Sequence, residues 1–194
     1  MKSYEMLVEE NKHLKANIAR LEDKLAFLSR HRTLARGLAG ERLVSQLVGG
    51  QLTLHTAPVD VVLTDGRTIE VKHSGFSQAH KGYDSTNRWQ WGKVFGEKNG
   101  KIFDFLLLIG ETDPNHSEKY IDPNSPYVFF LVPFAEVERF TTSGTRGARQ
   151  ILLLTNPSGA RGRAASLYTE FAQTSGGIYA LLGNGVGVIG ASSN

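Results

Sequence analysis

Asp60 and the triplet Glu70-Val71-Lys72 bring two carboxylates and an amine within thirteen residues of one another. Such a set is suited to one kind of work. Carboxylate oxygens are hard ligands for a divalent cation such as Mg²⁺, which keeps several of its waters. An ammonium beside them is a point charge able to orient water or to steady negative charge as it develops. The bland reading is a hairpin whose Asp, Glu and Lys face solvent. Which one holds depends on how the strands pair.

The stretch "VDVVLTDGRTIEVKH", Val59 to His73, carries both strands and their turn. A two-residue turn at Asp65-Gly66 would set Val61 against Glu70 and send Asp60 to the other side. The apolar pattern selects another register. Val59, Val61 and Leu63 alternate on one strand, Ile69 and Val71 on the other, and all five reach one face only if Val61 lies opposite Ile69. That requires a three-residue loop, Thr64-Asp65-Gly66, closed by glycine in the left-handed region. Asp60 then sits across from Glu70, with Lys72 one step along the same face and opposed Cβ atoms ~4.5–5.5 Å apart. Like charges directly opposed are destabilising, so the pair argues for a cation between them.

The elements that position this hairpin follow from the rest of the chain. Leu7, Leu14, Leu21 and Leu28 fall seven apart, with Tyr4, Asn11, Ile18 and Leu25 at the alternate positions. This is a heptad seam with the leucines at d and an Asn at a, the pattern of a parallel two-stranded coil. Glu10 at g is placed to meet Lys15 of a second copy. Residues 1–32 are therefore expected to form a coiled-coil helix that makes a homodimer. Only Lys2 precedes the seam, which excludes a basic-region zipper. Residues 33–174 alternate helical and strand patterns, and residues 175–194 read as a glycine-rich tail. "NRWQWGKVFGEK" is expected to be a helix. "FDFLLLIG" (103–110) has the continuous apolar run of a strand buried on both faces. The expected order is αβββαβ with a mixed sheet flanked by helices, an α/β fold.

With the register in place, Asp60, nine intervening residues and Glu70-Val71-Lys72 resemble the PD-(D/E)XK nuclease superfamily, the restriction-endonuclease-like fold. "GLAGERLVSQLVGG" is similar to the helix ahead of the core hairpin in Holliday-junction-resolvase-like and Mrr-like members, where Glu41 would supply a further acid. The match runs from about Leu34 to Gly110, and its proline, Pro58, stands two residues before Asp60 instead of next to it. The resemblance implies a catalytic set of Asp60, Glu70, Lys72 and Glu41. It implies Mg²⁺, with Mn²⁺ as a substitute, on Asp60, Glu70, the Val71 carbonyl and Glu41. The reaction implied is in-line hydrolysis of a phosphodiester, leaving a 5′ phosphate. Arg88, Gln90 and Lys93, on the helix expected after the Glu-x-Lys strand, are the candidates for contacts to phosphate or metal-bound water. Arg161 and Arg163 in "NPSGARGR" are candidates for further DNA phosphates.

The expectation is a homodimeric, Mg²⁺-dependent endonuclease acting on double-stranded DNA, a type II restriction enzyme or related defence nuclease. A junction resolvase or repair nuclease is the nearest alternative. A non-cleaving dimeric DNA-binding protein on the same scaffold is the alternative of another class. Other residues receive structural readings. His73 must point away from Lys72. Trp89 and Trp91, two apart on a helix, cannot share a face, so one belongs to the core and the other is free to stack on a base. Asp113, Glu118 and Asp122 lack calcium-loop spacing and are expected in solvent. "GNGVGVIG" lacks the lysine of a phosphate loop.

Bulk properties bound these readings. The chain has 194 residues, a net charge of +3 and a pI near 9.2, a surplus too small to argue for nucleic acid unless it is clustered. It has no cysteine, which excludes disulfides and thiolate metal sites. No apolar run reaches the ~18–20 residues of a membrane span. The charged first residues lack the apolar stretch of a secretion signal, and a cytoplasmic location is expected.

Overall fold

Alternating side chains with polar turns build the sheets, and the apolar helical stripes cover them. The structure, a computed structural model, describes residues 4–54, 57–79 and 87–183. The chain divides into two compact units, Met1–Leu38 and Ala39–Asn194. In the first, α1 (Tyr4–Arg30) is one continuous helix, and α2 (Arg32–Val48) begins two residues later. Ile18 and Leu25 at a, with Leu14 and Leu21 at d, are all exposed on the single chain.

The second unit is built on a mixed six-stranded sheet. Its strands are β1 (Gln51–Leu52), β2 (Val61–Val62), β3 (Thr68–Ser74), β6 (Phe105–Glu111), β7 (Tyr127–Pro133) and β10 (Ala172–Gln173), in the order β1-β2-β3-β6-β7-β10. β3 and β6 are parallel, and every other neighbouring pair in this sheet is antiparallel. Leu106, Leu107, Leu108 and Ile109 of β6 have no exposed surface, as their continuous apolar run predicts for an interior strand. A second sheet, in the order β4-β5-β9-β8, contains β4 (Phe76–Gln78), β5 (Asn87–Trp91), β8 (Thr142–Ser143) and β9 (Arg149–Leu154).

The large sheet is apolar on both faces. One face carries Val61, Ile69, Val71, Leu107 and Ile109 and packs against α2 through Val44 and Val48, and against α5 (Ser175–Leu182) through Ile178 and Leu182. The other carries Leu106, Leu108, Phe130 and Val132. It packs on the second sheet and on α3 (Phe134–Phe140) and α4 (Arg163–Phe171).

Two expectations are corrected. Residues 87–91 are strand β5, not the start of a helix, so the connection from β3 to β6 contains the strands β4 and β5 in place of the second helix of the αβββαβ order. In a strand, residues two apart share a face, so Trp89 and Trp91 both enter the core, at 0% and 1% exposure. Each removes roughly 200 Å² from water, worth about 5 kcal/mol at ~25 cal/mol per Å². Their indole N–H groups donate to the carbonyls of Glu111 and Ile109, both at 2.9 Å. Gly110 lies so close to the Trp89 ring that a Cβ there would meet its Cε2 at 2.5 Å. Neither indole is free to stack on a base.

Residues 175–182 are likewise helix α5, docked into the core, and not tail. Thr174 caps it, its side chain accepting from the Gly177 amide at 3.0 Å. The expected tail from residue 184 onward, with most of "GNGVGVIG", lies outside the described residues.

Candidate functional site

Next to its turn the hairpin adopts the expected register, Val61 opposite Ile69 and Val62 opposite Thr68. Val59, however, does not share the face of Val61, Leu63, Ile69 and Val71: it joins Trp89, Leu106 and Phe130 in the core on the other side of the sheet. The turn closes as a three-residue loop. The Leu63 amide donates to the Arg67 carbonyl at 2.8 Å and the Gly66 amide to the Leu63 carbonyl at 3.0 Å. Gly66 has φ +88°, a conformation that costs other residues energy. The Arg67 amide and guanidinium hold the Asp65 carboxyl below its ordinary range. The ladder stops at Val61. Asp60 lies just outside β2 and its amide donates to the Ile69 carbonyl at 3.1 Å, so the regular pairing of Asp60 with Glu70 expected from the sequence is not formed. Ahead of Asp60, the Thr53 hydroxyl donates to the Val59 carbonyl, and the Thr53 amide donates to the Asp60 carbonyl at 3.1 Å.

Asp60 turns its carboxylate onto β3, where Oδ2 accepts from the Val71 amide at 2.8 Å. Glu70 belongs to the face opposite Ile69 and Val71 and has no exposed surface. A buried carboxylate needs partners, and two lysines supply them. The Lys72 ammonium donates to Oε1. The Lys101 ammonium, from the loop ahead of β6, donates to Oε1 and Oε2, both at 2.8 Å. Two carboxylates and two ammoniums thus balance in charge. Lys101 was not legible in the sequence, since it stands 31 residues from its partner in an irregular segment. It lines two clefts, one of about 500 Å³ that reaches Phe134 and Arg149, and one of about 620 Å³ that reaches Pro58 and Lys98.

The other candidates stand on other elements. Glu41 is on α2, which packs on the face holding Val71; a Cβ at the neighbouring Gly40 would lie 2.9 Å from the His73 Cβ. Glu70 and Lys72 project from the other face. Among the described residues, no three His, Asp or Glu side chains group as a metal site. His73 alternates away from Lys72, as expected, and meets the edge of Tyr127 with ring centroids 5.4 Å apart. Arg88 and Gln90 alternate with the buried tryptophans and so take the outer face of the second sheet, where Gln90 bonds Gln150 at 2.8 Å. Lys93 pairs with Glu97 in the following turn. Arg161 donates to the carbonyls of Ser158 and Ala160, and Arg163 to that of Arg139. These two arginines share a separate cleft of about 230 Å³.

Asp113, expected in solvent, is fully buried. It accepts from Thr155 Oγ1 at 2.7 Å, Asn87 Nδ2 at 2.9 Å and the Asn115 amide at 3.1 Å. Burial pushes its carboxyl up, but those hydrogen bonds and nearby His116 outweigh it, and the net direction is down.

The chain matches no protein-family model and no curated protein. Among the described residues, no helix is long and apolar enough to cross a membrane.

Proposed function

We propose that this chain is a Mg²⁺-dependent DNA endonuclease on a restriction-endonuclease-like core, a type II restriction enzyme or related defence nuclease working as a homodimer on double-stranded DNA. The observation that carries the reading is the pairing of Val61 with Ile69. It brings Asp60 to the entry of β2, with its carboxylate on the Val71 amide of a strand that presents Glu70 and Lys72 and runs parallel to an interior strand. The donors fit the ion. Asp60, Glu70 and the Val71 carbonyl are hard oxygens, and a cationic group, the Lys101 ammonium, already spans both Glu70 oxygens. Mg²⁺, when bound there, supplies Lewis-acid polarisation of a phosphodiester and lowers the pKa of a water. The protein's own part is to hold the Asp60 carboxylate through the Val71 amide and to keep the Lys72 ammonium beside the reacting phosphate.

The test is incubation of plasmid and four-way-junction DNA with the protein in Mg²⁺ or in EDTA. Discrete bands in Mg²⁺ alone are expected, with cleavage about a hundredfold slower for Lys72→Ala. Smearing means cleavage without sequence preference, and cuts confined to the junction mean a resolvase. DNA bound yet uncut in Mg²⁺ overturns the endonuclease reading in favour of a non-cleaving binder.

Homodimerisation rests on α1, where exposed Tyr4, Leu14, Ile18, Leu21 and Leu25 fall at a and d positions with Asn11 among them. Deleting residues 1–30 is expected to turn dimers into monomers in sedimentation equilibrium. Dimers that persist unchanged would place the interface elsewhere.

A further inference from the structure

We infer that Lys101 is the resting occupant of the cation seat on Glu70, which a divalent ion takes only by displacing it, and that the displaced ammonium serves the substrate phosphate. This rests on the metal-dependent nuclease reading and adds a regulated order of binding to it.

The two lysines hold Glu70 differently. Lys72 reaches one oxygen from two residues along the same strand. Lys101 reaches both oxygens, at 2.8 Å each, and so covers the edge of the carboxylate that would hold a divalent ion. Glu70 has no exposed surface, its Oε1 accepts from both ammoniums and its Oε2 from Lys101, so an ion held by both oxygens must replace Lys101, the donor that bridges them.

Lys101 is the donor able to leave. Lys72 is fixed in β3, with β2 and β6 on either side. Lys101 follows Gly100 in a loop, tied by its amide to the Phe95 carbonyl at 3.0 Å, with its side-chain stem passing over Gly96. The clefts on either side of it give the ammonium somewhere to go. Charge sets the order of events. Asp60 and Glu70 balance Lys72 and Lys101, so a divalent ion leaves a positive surplus that an anionic phosphodiester reduces. Ion and DNA therefore reinforce each other's binding, and the ion alone binds weakly.

The experiment is calorimetric titration of the full chain with Mn²⁺, comparing wild type with Lys101→Gln and Lys101→Arg. Removing the competing charge-assisted bonds is expected to tighten Mn²⁺ binding about tenfold or more in Lys101→Gln, while Lys101→Arg stays near wild type. In parallel, acetylation of wild-type lysines is read by mass spectrometry. Mn²⁺ is expected to raise labelling of Lys101 several-fold and to leave Lys93 unchanged. The footprint decides alone if Lys101→Gln does not fold. Wild type that binds Mn²⁺ as tightly as Lys101→Gln, or with Lys101 labelling unaffected, overturns the role of Lys101 and leaves the nuclease reading standing. No Mn²⁺ binding by wild type or Lys101→Gln at millimolar concentration overturns both.

Discussion

Replacing Lys72 and Lys101 together with methionine is expected to cost about 3–5 kcal/mol in urea denaturation, because it strands a buried charge. The size follows from which partner can reach water. Glu70 has no exposed surface, whereas the side chains of Lys72 and Lys101 are 22% and 27% exposed. A lysine deprived of its partner extends its stem and puts its ammonium into solvent. Glu70 has no such route. Glu70→Gln is therefore expected to cost only about 1–2 kcal/mol, although it removes the group that both lysines share. Either single lysine variant leaves one ammonium on Glu70, so the two single costs sum to less than the double. Adding Glu70→Leu to the double variant is expected to recover most of the loss, since apolar replacement of a whole buried ionic cluster is often neutral. Urea midpoints with unchanged m-values read these differences. A double variant no less stable than Glu70→Gln would mean that Glu70 has another source of charge compensation.

The parts of the site that were legible share a physical cause. One face of the hairpin had to be apolar, and a slip of one residue would have turned Glu70 and Lys72 to the wrong side. Val61 and Ile69 thus dictated which face Glu70 and Lys72 take, and Gly66 dictated the turn. The departure from alternation at Asp60, which sends Val59 to the other face, left no mark in the pattern. Lys101 could not be found this way, because its contact with Glu70 comes from tertiary packing of an irregular loop and leaves no periodic trace. Asn87 to Trp91 did carry a signal that was read wrongly. Polar and aromatic residues alternate there with period two, the mark of a half-buried strand, and bulky aromatics favour strands. Placing them on a helix separated the two tryptophans and gave one of them a ligand. It also turned Arg88 and Gln90 toward the acids, from which β5 directs them away. Helix α5 was missed for the opposite reason. Gly176 and Gly177 are poor helix formers, but the Thr174 cap and the burial of Ile178 and Leu182 override that propensity. Glu41 was assigned by likeness of its helix alone, and α2 packs on the face that Glu70 does not use.

Asp113→Ala is expected to cost about 3 kcal/mol, from loss of hydrogen bonds to a charged group and from the buried donors left without an acceptor. Its carboxylate joins three separate pieces of chain: Asn87 at the start of β5, Thr155 just after β9, and the Asn115 amide in the loop beyond β6. The same corner is tied by the Thr155 amide to the Asn87 carbonyl at 2.9 Å and by the Tyr120 hydroxyl to the Thr155 carbonyl at 2.8 Å. Burial pushes the Tyr120 phenol well above its ordinary value, so it serves there as a neutral donor. The charge of Asp113 adds a pH dependence with a definite sign. The native carboxyl lies below its ordinary value, so the unfolded chain binds the proton more readily and protonation favours unfolding. The stabilisation is complete above the ordinary aspartate value, shrinks as the pH falls from there through the lowered native value, and is gone below it. Asp113→Asn keeps the shape and removes the charge, so its deficit against wild type is expected to be largest near neutrality and to close as the solution is acidified. Urea midpoints of the two proteins measured from about pH 7 to about pH 2 follow that closure. A deficit that stays constant to the acid end would mean that the corner is held by the shape of the Asp113 side chain and not by its charge.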